Sequence, residues 1–136
     1  MATRVPPGEL GARAEAAVAA ALVRAGRAVF LPAFDVQGRV DLVYADTTRL
    51  VRVQCKSARL IGDIIQFRTC SNTLNVPRPY TGEIDEFGVY SPDTGQVYLV
   101  PVDVTPSRAC ALRLSPPRNG QRTKVRWAAD YLLGAP

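Results

Sequence analysis

Two runs of alternating apolar and polar residues, joined by a short turn, constrain the fold more than any other feature of this chain. "GRVDLVYA" and "RLVRVQCKSA" each place an apolar residue at about every second position, as strands with one buried face do. The "DTT" between them is typical of a tight turn. If Ala45 and Leu50 are the paired residues that flank this turn, Asp41 lies beside Gln54. The pattern therefore predicts an antiparallel hairpin that brings these two polar side chains together.

The remaining patterns predict an α+β protein with a mixed sheet of about five strands flanked by helices. Residues 8–29 have helical apolar spacing, and Gly26 lies where a C-capping glycine is expected. Residues 64–82 begin like a strand and end as a loop without a clear assignment. Four further segments are predicted: a strand over 28–34, a second hairpin over 83–103, a proline-broken extended linker over 106–121 and a closing helix over 122–133.

The length of 136 residues predicts one domain over residues 1–136, with a flexible leader over about 1–7. No apolar run is long enough to span a bilayer, and the N-terminus lacks the layout of a signal peptide. The cysteines have no CxxC spacing, which favours free thiols over a disulfide or zinc site. We therefore expect a cytoplasmic protein without a membrane partner.

The positive charge is concentrated near the C-terminus. Residues 1–106 contain equal numbers of basic and acidic side chains, whereas the last thirty residues hold the whole net charge of +5. A basic segment over about 107–133 is typical of a surface that contacts phosphates. A solvated tail that keeps the protein soluble explains the same composition equally well.

Four polar residues interrupt the apolar patterns in a way that favours metal chemistry. Glu15 lies in an alanine-rich helix, Asp41 lies in mid-strand, and Gln54 and Lys56 share one strand face. Carboxylate and amide oxygens suit Mg²⁺, and a lysine beside them can position a water or neutralise a phosphate. Lys56 is one of two lysines among seventeen basic residues, and a compact ammonium is not interchangeable with a guanidinium. Taken singly, Lys56 is as readily an ordinary exposed strand residue, and Asp41 and Glu15 are more readily a turn-proximal acid and a solvated helix residue. Histidine is absent, which excludes histidine-based triads and His-metal nucleases.

The order and spacing of these residues resemble the PD-(D/E)XK nuclease superfamily. Glu15 precedes "VD" and then "QCK", the Q-x-K variant found in group I intron-associated PD-(D/E)XK endonucleases. Later stretches, "YTGEIDEFGVYSPDTGQVYLVPVD" and "RLSPPRNGQRTKVRWAADYL", are similar to the later blocks of that family. The resemblance covers about residues 9–133 and implies a restriction-endonuclease-like fold. Val40 stands where the motif has proline, a residue that shapes the backbone and does not bind metal.

The resemblance implies a catalytic centre that binds Mg²⁺, with Mn²⁺ able to substitute. Asp41 would be the principal ligand, Gln54 would offer a neutral amide oxygen, and the backbone carbonyl of Cys55 would complete the shell. Glu15 would bind the metal or its waters from the helix. Lys56 would orient the attacking water.

Three functions remain open at this point. The first is a Mg²⁺-dependent DNA endonuclease of homing or mobile-element type, and the second is a structure-specific nuclease that resembles Holliday-junction resolvases. The third is a catalytically inactive DNA-binding domain with the same fold. The expected partner is double-stranded or branched DNA, bound by a homo-oligomer (dimer or tetramer) because cutting two strands needs two centres. The expected DNA contacts are Arg118, Asn119, Gln121, Arg122, Lys124 and Arg126.

Overall fold

The protein is built around a mixed β-sheet with one long helix packed on one of its two faces. The computed structural model describes residues 4–34, 38–73, 76–120 and 125–134. The long helix is α1 (Pro7–Arg24). The strands are β1 (Val29–Phe30), β2 (Leu42–Ala45), β3 (Leu50–Ser57), β4 (Arg59–Ile61), β5 (Ile64–Arg68), β6 (Cys70–Thr73), β7 (Val76–Pro79), β8 (Glu86–Ser91), β9 (Gln96–Pro101) and β10 (Ala109–Arg113).

The central sheet has five strands in the order β1-β2-β3-β8-β9. Adjacent strands of this sheet are antiparallel except β3 and β8, which are parallel. The crossover connection that a parallel pair needs is formed by the segment that carries β4 to β7. Ala45 pairs with Leu50 and Leu42 with Val53, so the predicted hairpin and its register are confirmed. The second predicted hairpin is confirmed as β8 and β9. The fold is therefore the expected restriction-endonuclease-like α+β class.

Helix α1 lies very close to the central sheet. Its buried residues, Ala14, Val18, Ala21 and Leu22, recur at helical spacing and pack on β3 and β8. A Cβ atom at Gly88 of β8 would lie 2.7 Å from Val18 Cγ1, so only glycine permits this approach. The helix ends at the predicted place, where Gly26 adopts a φ of 83°. Within the described ranges, no helix combines the length and the apolar character that a bilayer crossing requires.

A second layer covers the other face of the central sheet. Three strands in the order β10-β5-β4 form this layer, and β6 and β7 form a separate hairpin. Ile65 and Phe67 of β5 pack against Phe87 and Val89 of β8 in a continuous apolar core. The central sheet is therefore enclosed between α1 and the second layer.

Two predicted elements of the C-terminal part are wrong. The segment predicted as an extended linker contains β10, because its alternating residues pair with β5 and bury Cys110 and Leu112. In place of the closing helix, residues 125–134 form two isolated bridges, Arg113 to Trp127 and Tyr98 to Leu132. Only one 3₁₀ turn (Ala128–Asp130) lies in that range. Backbone pairing to neighbouring strands therefore replaces the helical bonds that the apolar spacing predicted.

Candidate active site

Asp41 lies where the pairing between β2 and β3 ends. Its backbone N–H donates to the Val53 carbonyl at 2.8 Å, and β2 begins at the next residue. Beyond that point the Asp41 side chain replaces the backbone of β2 as the hydrogen-bond acceptor for β3, because its Oδ2 accepts the Cys55 N–H at 2.8 Å. The carboxylate is thereby fixed at the open end of the ladder, on the side of β3 that β2 leaves uncovered.

Glu15 of α1 meets Asp41 at this open end. The two carboxyl groups are in hydrogen-bonding contact, although the Glu15 residue is largely exposed to solvent. Burial raises the pKa of Asp41 above its ordinary value, while hydrogen bonds to Cys55 and Glu15 and the charge of Lys56 oppose that rise. Two carboxyl groups at this separation need a shared proton or a cation between them. The pair therefore provides a place for a positive ion.

Gln54 provides a third oxygen, which has no hydrogen-bond partner among the described residues. Gln54 and Lys56 alternate along β3 with Val53 and Cys55, which pack towards α1, so they share the opposite face. The Gln54 Oε1 atom is buried. Such an atom is unfavourable unless a ligand satisfies it. The orphaned oxygen thus fits a cation better than it fits a closed apolar core.

These donors fit a hard divalent cation. No cluster of three or more His, Cys, Asp or Glu side chains is placed to hold a metal in the described parts of the chain. The candidate donors are therefore the contacting Asp41 and Glu15 carboxyl groups and the amide oxygen of Gln54, which the strand register places opposite Asp41. The Cys55 carbonyl should point to the same side as its N–H, toward Asp41, because both polar groups of a strand residue do so. Burial raises the pKa of the Cys55 thiol, with smaller contributions from Asp41 and Glu15. The thiol therefore stays protonated, and the set is one of oxygen atoms that suits Mg²⁺.

Lys56 is held by a residue that sequence reasoning missed. Its Nζ donates to the Tyr80 hydroxyl at 3.1 Å and lies 4.8 Å from the centre of the Tyr80 ring. The Arg39 guanidinium stacks on the same ring, with its carbon 3.6 Å from the ring centre. Tyr80 follows β7, in the segment that the sequence left unassigned. No local pattern there indicated a partner for Lys56, because the contact spans 24 residues of sequence.

Asp85 and Arg52 form a structural clamp beside the site. The Arg52 N–H and Nε both donate to Asp85 Oδ2, and Nη2 donates to Oδ1. These hydrogen bonds lower the pKa of Asp85. The Asp85 N–H in turn donates to the Arg52 carbonyl. The pair therefore fixes the start of the parallel contact between β3 and β8, which gives Asp85 a structural role.

The described residues of the predicted DNA-contacting set lie in two places. Arg118 and Asn119 are exposed residues that line an open cleft together with Asp63 and Arg113. Arg126 donates through Nε to the Val104 carbonyl at 2.7 Å. Residues 121, 122 and 124 of the set (Gln121, Arg122 and Lys124) lie outside the described residues.

The mixed five-stranded sheet with α1 packed on one face is that of a restriction-endonuclease-like protein. The chain belongs to the PD-(D/E)XK endonuclease family, because the model of that family matches residues 7–134. Its fold is similar to that of a bacterial homing endonuclease, I-Ssp6803I, with a TM-score of 0.73 and 23% sequence identity. This similarity covers 94% of the present chain and 89% of the other. No curated protein matches the sequence.

Proposed function

We propose that this protein is a Mg²⁺-dependent DNA endonuclease of homing or mobile-element type, in which Mn²⁺ can replace Mg²⁺. One observation carries the proposal: the Asp41 carboxyl group is in hydrogen-bonding contact with Glu15 and interacts with the charge of Lys56. The buried Gln54 oxygen, which lies two residues before Lys56 on the same strand face, supports it. The similarity in fold to a bacterial homing endonuclease supports the homing type. The test is cleavage of linear duplex and four-way-junction DNA with and without Mg²⁺. Cutting of junctions alone would instead favour a resolvase, and binding without cutting would favour an inactive domain.

Each residue of the centre has a proposed role. Asp41 is the principal metal ligand, Glu15 binds the metal or its waters, and Gln54 Oε1 and the Cys55 carbonyl complete the shell. The metal, when bound, supplies Lewis-acid stabilisation of charge on the phosphate. Lys56 orients the attacking water and keeps its ammonium beside the scissile phosphate. Tight fixation of Asp41 by the Cys55 N–H reduces the reorganisation that binding requires.

The Gln54→Glu variant tests the ligand role of Gln54. A carboxylate at this position adds a negative charge, and we expect Mg²⁺ affinity to rise by about tenfold or more. Turnover should fall even so, because a more strongly neutralised metal polarises its water less. Isothermal titration with Mg²⁺ or Mn²⁺ measures the affinity. The exposed Gln66 of β5 provides the matched control, Gln66→Glu, which should leave metal affinity unchanged. Equal affinity in wild type and Gln54→Glu would place Gln54 outside the metal shell.

We further propose that the basic segment binds the DNA backbone through Arg118, Asn119, Gln121, Arg122, Lys124 and Arg126. The exposure of Arg118 and Asn119 and the concentration of charge in this segment support the proposal.

A homo-oligomer, a dimer or tetramer, would present two centres to the two strands, and sedimentation equilibrium measures its order. Exposed Phe30, Leu31 and Phe34 beside the edge strand β1 offer apolar surface for such an assembly.

The Arg118→Glu variant tests the basic segment. Loss of one phosphate contact should lower the slope of log affinity against log salt by about 0.9 on duplex DNA. The weakening should be similar for all DNA sequences, because phosphate contacts carry no sequence information. Arg24→Glu, at the exposed end of α1, is the matched control. An unchanged slope in Arg118→Glu would remove Arg118 from the interface.

A further inference from the structure

We propose that Tyr80 is a positioning residue for Lys56, and that Arg39 holds Tyr80 in place. This inference rests on the proposed function, because it gives Lys56 its role in cleavage. The Tyr80 hydroxyl accepts a hydrogen bond from Lys56 Nζ at 3.1 Å. A lysine side chain has several rotatable bonds and gains little precision from its own strand. A fixed external acceptor is therefore required to keep the ammonium at one point.

The Tyr80 ring is itself tightly fixed. It is buried and packs edge-on against Phe87, with ring centres 5.5 Å apart and an interplanar angle of 86°. The Arg39 guanidinium covers the ring at 3.6 Å. A ring that is packed on both sides holds its hydroxyl at a constant position, whereas an exposed tyrosine changes rotamer freely.

Arg39 is fixed by four further contacts. Its Nε forms an ion pair with Glu83 Oε2 at 2.7 Å, and its Nη1 donates to Ser71 Oγ at 3.1 Å. Its Nη2 donates to the carbonyls of Arg78 and Pro79, each at 3.0 Å. Because Arg78 and Pro79 directly precede Tyr80, these bonds fix the backbone that carries the tyrosine. Arg39 contacts Tyr80 over the face of its ring, and none of these four bonds involves the hydroxyl, which accepts from Lys56.

The position of Arg39 in the chain connects the two sides of the site. Arg39 lies two residues before Asp41, so the same short segment carries the proposed principal metal ligand and the residue that holds Tyr80. Tyr80 in turn holds Lys56. The proposed ligand and the proposed water-orienting group are thus linked through one aromatic ring, in addition to their link through the β2–β3 ladder. Two connections therefore hold Asp41 and Lys56 in relation to each other: the β2–β3 ladder, and the contacts through Arg39 and Tyr80.

Tyr80→Phe isolates the hydroxyl, because phenylalanine keeps the ring that packs on Phe87 and Arg39. We expect the single-turnover cleavage rate, at saturating DNA and Mg²⁺, to fall about tenfold, since a small displacement of a reacting group lowers rates strongly. DNA affinity and the thermal midpoint should stay close to the wild-type values. Tyr98→Phe is the matched control, because Tyr98 is also buried in the same apolar core but lies on β9. It should leave the rate unchanged.

A second measurement does not depend on catalysis. Because the chain has only two lysines, selective ¹⁵N and ¹³C labelling of lysine gives two sets of side-chain signals, and a Lys124→Arg spectrum assigns them. The ε-methylene and ammonium signals of Lys56 should be displaced by the Tyr80 ring and should shift in Tyr80→Phe but not in Tyr98→Phe. Unshifted Lys56 signals would overturn the contact. Shifted signals with an unchanged cleavage rate would overturn the positioning role. If the wild-type protein cuts no DNA under any condition, the proposed function fails, and with it the positioning role, while the lysine spectra still decide the contact.

Discussion

Asp41→Asn is expected to lower the single-turnover cleavage rate by about a thousandfold or more, a loss of about 4 kcal/mol of transition-state stabilisation. Asparagine keeps an oxygen that can accept the Cys55 N–H, so the end of the ladder should survive the change. It removes the negative charge that would bind the proposed metal, and it leaves Glu15 without a second carboxyl group beside it. The variant therefore separates the charge of Asp41 from its structural hydrogen bond.

Three measurements on Asp41→Asn make the result interpretable. Circular dichroism and thermal unfolding should report an intact fold, and DNA affinity without metal should be close to that of the wild type. Titration with Mn²⁺ should show weakened binding. Asp93→Asn, an exposed residue in the turn between β8 and β9, is the matched control and should cut at the wild-type rate. Wild-type cleavage by Asp41→Asn would remove Asp41 from the centre.

Lys56→Arg is expected to reduce cleavage by about a hundredfold or more, although the formal charge is unchanged. The guanidinium is larger and planar and distributes its charge over several nitrogens, so it cannot occupy the point that Lys56 Nζ occupies beside Tyr80. DNA binding should change little, because the variant keeps a cation at the same surface. The comparison of cleavage and binding measures whether compact charge or mere positive charge is needed.

The reverse substitution, Arg59→Lys, is the control for Lys56→Arg. Arg59 is an exposed residue of β4, three positions further along the chain, and its replacement should leave the rate unchanged. Lys56→Arg that cuts like the wild type would reduce Lys56 to a general electrostatic contact. It would also remove the reason for a lysine at this position in a chain that otherwise relies on arginine.

The parts of the site that the sequence predicted are those that depend on local geometry. Alternation on both sides of a short turn fixes the pairing of β2 with β3, and this alone brings Asp41 to the region of Gln54. Helical spacing fixes the face of α1 that packs on the sheet, and so the side on which Glu15 emerges. Local rules were sufficient for the register of Asp41 and Gln54 within one hairpin and for the helix face of Glu15, whereas the contact of Glu15 with Asp41 joins two separate elements.

The parts that the sequence did not predict depend on contacts between distant segments. The strand β10 pairs with β5 across more than forty residues, and the prolines and arginines of the segment around it gave no sign of that partner. Val125, Ala128 and Leu132 have helical spacing, but Trp127 and Leu132 form bridges to strands, since tertiary pairing overrides a weak local preference. The Lys56 contact with Tyr80 is of the same kind. The side-chain role of Asp41 as an acceptor for Cys55 depends on the residue at which β2 begins, which alternation does not define to one position.

The glycine at position 88 has a consequence for the centre, although it has no polar side chain. Val18 lies against it, and Glu15 projects from the same helix one turn earlier, so the height of the helix above β8 also sets the distance of Glu15 from Asp41. Gly88 thus influences the separation of the two carboxyl groups through the position of α1, without contacting either of them. A methyl group added there would clash with Val18 of the helix and crowd Val53 of β3, so the packing of α1 on the sheet would have to adjust. An adjustment of α1 would also move Glu15 relative to Asp41, which connects the packing of the apolar interior to the geometry of the proposed centre.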